Sequence, residues 1–210
     1  MNLKSRFSPN KENFRMHHTD SNLYPTMSEK IISWLPAIPK DYVLICIGTD
    51  RSTGDSLGPL VGTLFSETRP KHMTVYGTLH EPVHATNLQE YMEQINKQHR
   101  DPFIIAIDAC LGKNSSVGQI ISGTGPIKPG AALNKPLPDV GDVHITGVVN
   151  ISGFMEHSVL QNTRLSVVMD MAVKISGVLD QIDQRMTYNH PKPSVVLRFK
   201  EEMKTSAPQS

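Results

Sequence analysis

Two segments deliver acidic side chains at the ends of apolar runs. The run Tyr42-Val43-Leu44-Ile45-Cys46-Ile47 leads into Gly48-Thr49-Asp50-Arg51-Ser52-Thr53-Gly54-Asp55-Ser56-Leu57-Gly58-Pro59, a loop of small residues that carries Asp50 and Asp55 toward a helix beginning near Ser56. The run Phe103-Ile104-Ile105-Ala106-Ile107 passes directly into Asp108, Ala109 and Cys110. Carboxyl groups that share a cleft split their titrations, because ionising one disfavours ionising the other. One is then held as an acid while its neighbour serves as a base, an arrangement suited to activating water against an amide bond. Asp55 and Asp108 are therefore the candidate catalytic pair, with Gly48, Thr49 and Asn134 as shaping or substrate-binding residues. Simpler duties compete: Asp55 could cap the helix, and Asp50 could pair with Arg51 or bond its own turn. For Asp108 no such duty is evident, since a carboxyl straight after an apolar strand is costly unless hydrogen-bonded or used.

Other chemistries have less support. The glycine-bearing loop matches neither G-x-x-x-x-G-K-[ST] nor G-x-G-x-x-G, and two acids would repel a phosphate held there. H-E-x-x-H, C-x-x-C and G-x-S-x-G are also missing from the sequence. Cys110 stands near a strand end, yet nothing beside it in sequence would lower its pKa, so it reads as a small buried residue. His80, His84, His144 and His157 are scattered, and only His84 and His144 are expected in loops or strand ends that could face a cleft. The adjacent His17 and His18 lack evident partner ligands and read as solvated side chains.

The elements that must position the two acids follow from the apolar pattern. Runs 42–47 and 103–107 do not alternate, which suits strands of a parallel sheet covered on both faces. Between them the sequence predicts a short strand at 73–76 and a helix over 87–98, with Thr86 and Gln89 in capping-box positions. Further strands are expected at 117–121 and 143–149, separated by a Gly/Pro-rich loop over 123–138. A short helix over 27–35, closed by Pro36, precedes the sheet. A long one over 155–179 follows it, with Val159, Leu160, Thr163, Val167, Met171 and Val178 as its apolar stripe. The expected fold class is α/β, a three-layer α/β/α sandwich around a small, mostly parallel sheet. Active sites in such sheets lie just beyond the carboxyl ends of the strands, where both acids fall.

The 210 residues, 38% hydrophobic and 20% charged, fit one domain, expected over 28–188 between a loose polar arm (1–27) and a tail (189–210). A chain this long can bury roughly 70% of its unfolded surface, so it needs no disulfide or structural metal. Twenty-one Lys and Arg against 20 Asp and Glu leave a formal charge of +1, which gives no electrostatic reason to bind nucleic acid. Two cysteines, no signal-like segment and no long apolar stretch point to a reduced, cytoplasmic setting without membrane attachment. No cofactor is expected. The outer faces of the 155–179 helix leave a homo-oligomer open.

The segments Gly48 to Pro59 and Ile105-Ala106-Ile107-Asp108-Ala109 resemble the two signature segments of the germination (spore) protease family of endospore-forming bacteria. Asp142 to Leu165, with Ile145-Thr146-Gly147-Val148-Val149-Asn150 and Gly153-Phe154-Met155-Glu156, is similar to a small sporulation-associated branch of that family, and this likeness covers most of 40–185. The resemblance implies a hydrogenase-maturation-protease type of fold, phosphorylase/hydrolase-like in its layers. It further implies an atypical aspartic endopeptidase whose acids fall at Asp55 and Asp108, a protein or peptide substrate, and a place in the forespore or spore core. The family protease cleaves small acid-soluble, DNA-protecting proteins. Two departures stand out: the chain is much shorter than that protease, and Gly54 replaces a family proline. A third is Pro129-Gly130-Ala131-Ala132-Leu133-Asn134-Lys135, which loses two glycines of the corresponding family loop. A non-catalytic binding module on a protease-like scaffold is the alternative. Another is a metal-holding relative of the maturation peptidases, with Asp55, Asp108 and His84 or His144 as ligands.

Overall fold

The computed structural model describes residues 12–38, 40–129 and 137–189. Its centre is a six-stranded sheet in the order β1-β5-β6-β4-β2-β3. The strands are β1 (Asn13–His17), β2 (Tyr42–Cys46), β3 (Met73–Tyr76), β4 (Phe103–Gly112), β5 (Gln119–Thr124) and β6 (Val143–Ile151). β3, β2, β4 and β6 run parallel, while β5 is antiparallel to both β6 and β1.

The unbroken apolar runs of β2 and β4 reflect burial on both sides. Leu44, Cys46, Ile105 and Ile107 join one core with α1 (Leu23–Ile32), α2 (Leu57–Glu67) and α5 (Leu165–Asn189). Val43, Ile45, Ile104 and Ala106 join the other, beneath Leu88 and Ile95 of α3 (Leu88–Gln98). The three-layer α/β/α reading therefore holds, with the mixed character coming from the β1-β5 side.

Several boundaries differ from the sequence expectation. The polar segment expected as a loose arm over 1–27 contains β1, which pairs with β5 from Asn13↔Gly123 to His17↔Gln119, and the start of α1. Only Phe14 and Met16 of β1 pack against the core, too few apolar residues to mark a strand by composition. Leu23, Met27 and Ile31, spaced four apart, are fully buried against the core, which explains why α1 begins earlier than the predicted 27–35. The Thr86 capping box is not formed. Asn87 is the N-cap residue of α3, its side-chain oxygen accepts from the His84 amide at 2.8 Å, and Thr86 bonds the His84 ring instead.

The single helix expected over 155–179 is two helices, α4 (Glu156–Gln161) and α5. Asn162 donates its side-chain amide to the Ser158 carbonyl at 2.9 Å, and the Thr163 hydroxyl donates to Val159 at 2.9 Å. These bonds occupy carbonyls of the last turn of α4 and end it. At its other end Met155 adopts a left-handed φ of 67°. α5 then continues to Asn189, into the stretch expected as tail; the rest of that tail lies outside the described residues.

Candidate functional site

β4 extends five residues past the apolar run, so Asp108 sits inside the strand opposite Thr146 of β6, not after it. On its other flank the expectation was sound: β2 pairs with β4 only as far as Cys46↔Ile107, so Asp108 lies just beyond the carboxyl end of β2. The alternation of Ile104 and Ala106 puts its side chain on the α3 side of the sheet.

Asp55 is placed by backbone contacts that only small residues permit. Gly48 has φ +147°, and a Cβ on it would overlap the Asp55 carbonyl oxygen. The Gly48 amide donates to Val83 at 2.8 Å and the Thr49 amide donates to that Asp55 carbonyl at 3.1 Å. Gly48 and Thr49 thus shape the loop, and both border the cleft. The turn Gly54–Ser56 is 3-10 helical and runs straight into α2. Asp55 does not cap α2, which has no side-chain cap at its N-terminus. Among the described residues no group donates a hydrogen bond to its carboxylate. Asp50 stays exposed and accepts from its neighbour Thr49 at 3.5 Å, so it belongs to its own turn.

Asp55 and Asp108 border the same cleft, of about 380 Å³, together with Gly48, Thr49, Arg51, Ser52, His84, His157 and Gln161. Both also border a second hollow of about 330 Å³, which adds Cys110, Lys128, Thr146 and Glu156. The acid pair stands where the two hollows adjoin. Burial pushes the Asp108 carboxyl well above the usual carboxylate range, and the nearby Asp55 charge pushes it further. A single opposing contact, the Ala109 amide donating to its Oδ1 at 2.8 Å, favours the ionised form. Burial raises Asp55 too, but His157 opposes that rise. The two carboxyls therefore occupy unequal environments, with Asp108 held the more strongly toward its protonated form.

The remaining candidates divide. Asn134 lies outside the described residues. His84 borders the cleft with its Nδ1 2.8 Å from the Thr86 hydroxyl, while His144 borders neither hollow and has its Nδ1 2.8 Å from the Gly125 carbonyl oxygen. Among the described residues no group of three or more His, Cys, Asp or Glu side chains could hold a metal ion. Burial raises the Cys110 thiol to about 11, which suits a packing role better than a nucleophilic one. The sequence reading missed α4, which brings Glu156, His157, Leu160 and Gln161 to the site. Gly153 and Asn162, flanking that segment, were the available stop signals.

The sheet, its flanking helices and the site at its strand ends define an α/β protein with the hydrogenase-maturation-protease type of fold. The maturation protease HycI of [NiFe] hydrogenase from Thermococcus kodakarensis KOD1 superposes with a TM-score of 0.52 at 14% identity, covering 76% of this chain and 99% of that one. Residues 15–178 match the family described as "Protein of unknown function (DUF1256)", and the chain belongs to that family. Its relative YyaC of Bacillus subtilis (strain 168), described as uncharacterized, is 48% identical over 187 residues, 88% of this chain and 91% of that protein. No helix among the described residues is long and apolar enough to cross a membrane.

Proposed function

We propose that this protein hydrolyses peptide bonds, using Asp55 as base and Asp108 as acid. One observation carries the reading: two carboxyls from distant parts of the chain border one cleft, and the deeper is held toward its protonated form by burial and by the other's charge. Asp55 takes a proton from water as the oxygen attacks the amide carbonyl carbon, while Asp108 gives its proton to the carbonyl oxygen. In the collapse, the C–N bond breaks, Asp55 passes its proton to the leaving nitrogen and Asp108 recovers one from the hydroxyl. One water is consumed and both carboxyls return to their starting states. That two hollows of about 380 and 330 Å³ both border the pair supports a substrate larger than a single small molecule.

The resemblance of the Gly48–Pro59 and Ile105–Ala109 segments to the germination protease supports a substrate made in the sporulating cell and a place in the forespore. The likeness to a maturation protease agrees with peptide chemistry at the level of fold. The test incubates the purified full chain with extract of sporulating cells and reads new peptide termini by mass spectrometry. Asp55→Asn and Asp108→Asn should each lose roughly 10²–10⁴-fold in cleavage with the fold intact by circular dichroism. Wild-type cleavage by the double Asn variant refutes the mechanism. Full cellular function in the Asn variants transfers the assignment to a binding module.

A further inference from the structure

The turn that leads from β6 into α4 presents apolar side chains to solvent. Phe154 is 101% exposed and Met155 71%, and Met155 holds a left-handed backbone, φ 67°, that residues with a Cβ rarely adopt. A Cβ at the preceding Gly153 would meet no atom within 4 Å, so the turn stands clear of the body. Ile151 and Leu165 are exposed as well. Asn150, beside Ile151, donates at 3.2 Å to the hydroxyl of Thr163, two residues before Leu165, which brings both to the corner where the turn stands. Soluble chains seldom leave such a cluster open to water unless a partner covers it.

We propose that this corner is the contact face of a two-fold homodimer, in which Phe154 and Met155 of one copy pack beside the second hollow of the other. Glu156, the next residue along, borders that hollow together with Lys128 and the apolar Leu111, Ile127 and Leu160. A protruding apolar turn and an apolar-walled hollow therefore lie side by side, and in an isologous contact each copy's turn faces the partner's hollow. The charges are self-complementary too. Apart from the aspartate pair, Glu156 and Lys128 are the charged residues of the hollow, and among the described residues neither forms an ion pair. The same symmetry sets Glu156 of each copy against the partner's Lys128. A surface of one sign would repel its own copy, whereas this one balances. An anionic lipid surface would call for cations alone. The four exposed side chains offer about 500 Å² of apolar surface, a single aromatic ring accounting for roughly 150–250 Å² of it. Two such patches closing on each other bury about 1,000 Å², the size at which a specific interface begins. The partner's Phe154 then walls the open side of the second hollow, so each copy adds to the other's site.

The test follows the mass of the full chain by sedimentation equilibrium over about 1–100 µM in wild type, Phe154→Ser, Glu156→Lys, Lys128→Glu and the double swap of Glu156→Lys with Lys128→Glu. Wild type should dimerise with a dissociation constant on the order of micromolar. Phe154→Ser should raise that constant about tenfold or more, as loss of an aromatic anchor does. Each single charge variant should raise it about fivefold, and the double swap should restore it. Circular dichroism checks that every variant keeps the fold. A wild type that stays monomeric at about 100 µM overturns the proposal, as does a dimer that Phe154→Ser leaves intact or a double swap as weak as the single variants. Binding of a wild-type monomer to phosphatidylglycerol vesicles, lost in Phe154→Ser, also overturns it and assigns the turn to a lipid surface. Cleavage does not enter these readouts, so failure here leaves the hydrolase reading to be judged on the aspartate variants alone.

Discussion

Replacing Asp108 by Asn should make the protein more stable at neutral pH, by an amount that grows with pH. Asp108 is half-buried at the cleft, where desolvation and the Asp55 charge outweigh its one backbone hydrogen bond, so the fold favours its protonated form. In the unfolded chain the same group ionises near the ordinary aspartate value of about 3.9. Between that value and its raised folded midpoint the native state holds a proton that the unfolded state has released. Stability is then fully present below about pH 3.9 and falls as pH rises, by as much as about 1.4 kcal/mol per pH unit for the one proton. Above the folded midpoint both states are ionised and this contribution levels off. Asn is close in shape, keeps an oxygen for the Ala109 amide and cannot ionise. Urea unfolding of wild type and Asp108→Asn at half-unit steps from pH 4 to 9 gives the difference directly. That difference should start near zero, widen with pH and then plateau, the bend marking the Asp108 midpoint. A difference that is constant across the range, or that favours wild type increasingly as pH rises, refutes the reasoning about the pair. The cost at neutral pH is the kind that a functional acid imposes on its scaffold.

Two further outcomes probe the surroundings of the pair. Gly54→Ala should cost about 1–3 kcal/mol in thermal or urea unfolding, because its Cβ meets Leu160 and Thr163 at 3.0 Å or less; backbone NMR shifts should concentrate in α4, and an unchanged melting curve would show that the helix is not seated on the turn. Cys110, with its thiol raised to about 11, should alkylate far more slowly at pH 7.5 than a free cysteine, and Cys110→Ser should leave cleavage within about threefold of wild type; abolition of cleavage by that variant would move the chemistry to the thiol.

By itself, the sequence determined the layers and the positions of the two acids in the chain. Runs 42–47 and 103–107, of strand length and without alternation, suit inner strands of a sheet covered on both faces, so that reading was available locally. A carboxyl straight after Ile107 and another in a loop of small residues after Ile47 were legible for the same reason: residue type and neighbours set the cost of placing charge there. The tertiary structure alone decided what surrounds them. β1 gains its place from pairing with β5 and from Phe14 and Met16 packing against the core, an alternation too short to stand out in a polar segment. The break between α4 and α5 depends on Asn162 and Thr163 side chains competing for carbonyls, an outcome periodicity does not register. His157 borders the cleft from a helix more than a hundred residues further along the chain, which packs closely on the Asp55 turn at Gly54. Periodicity reports which face of an element is buried; how deeply each side chain sits is fixed by packing, and the inequality of the two aspartates follows first from that burial.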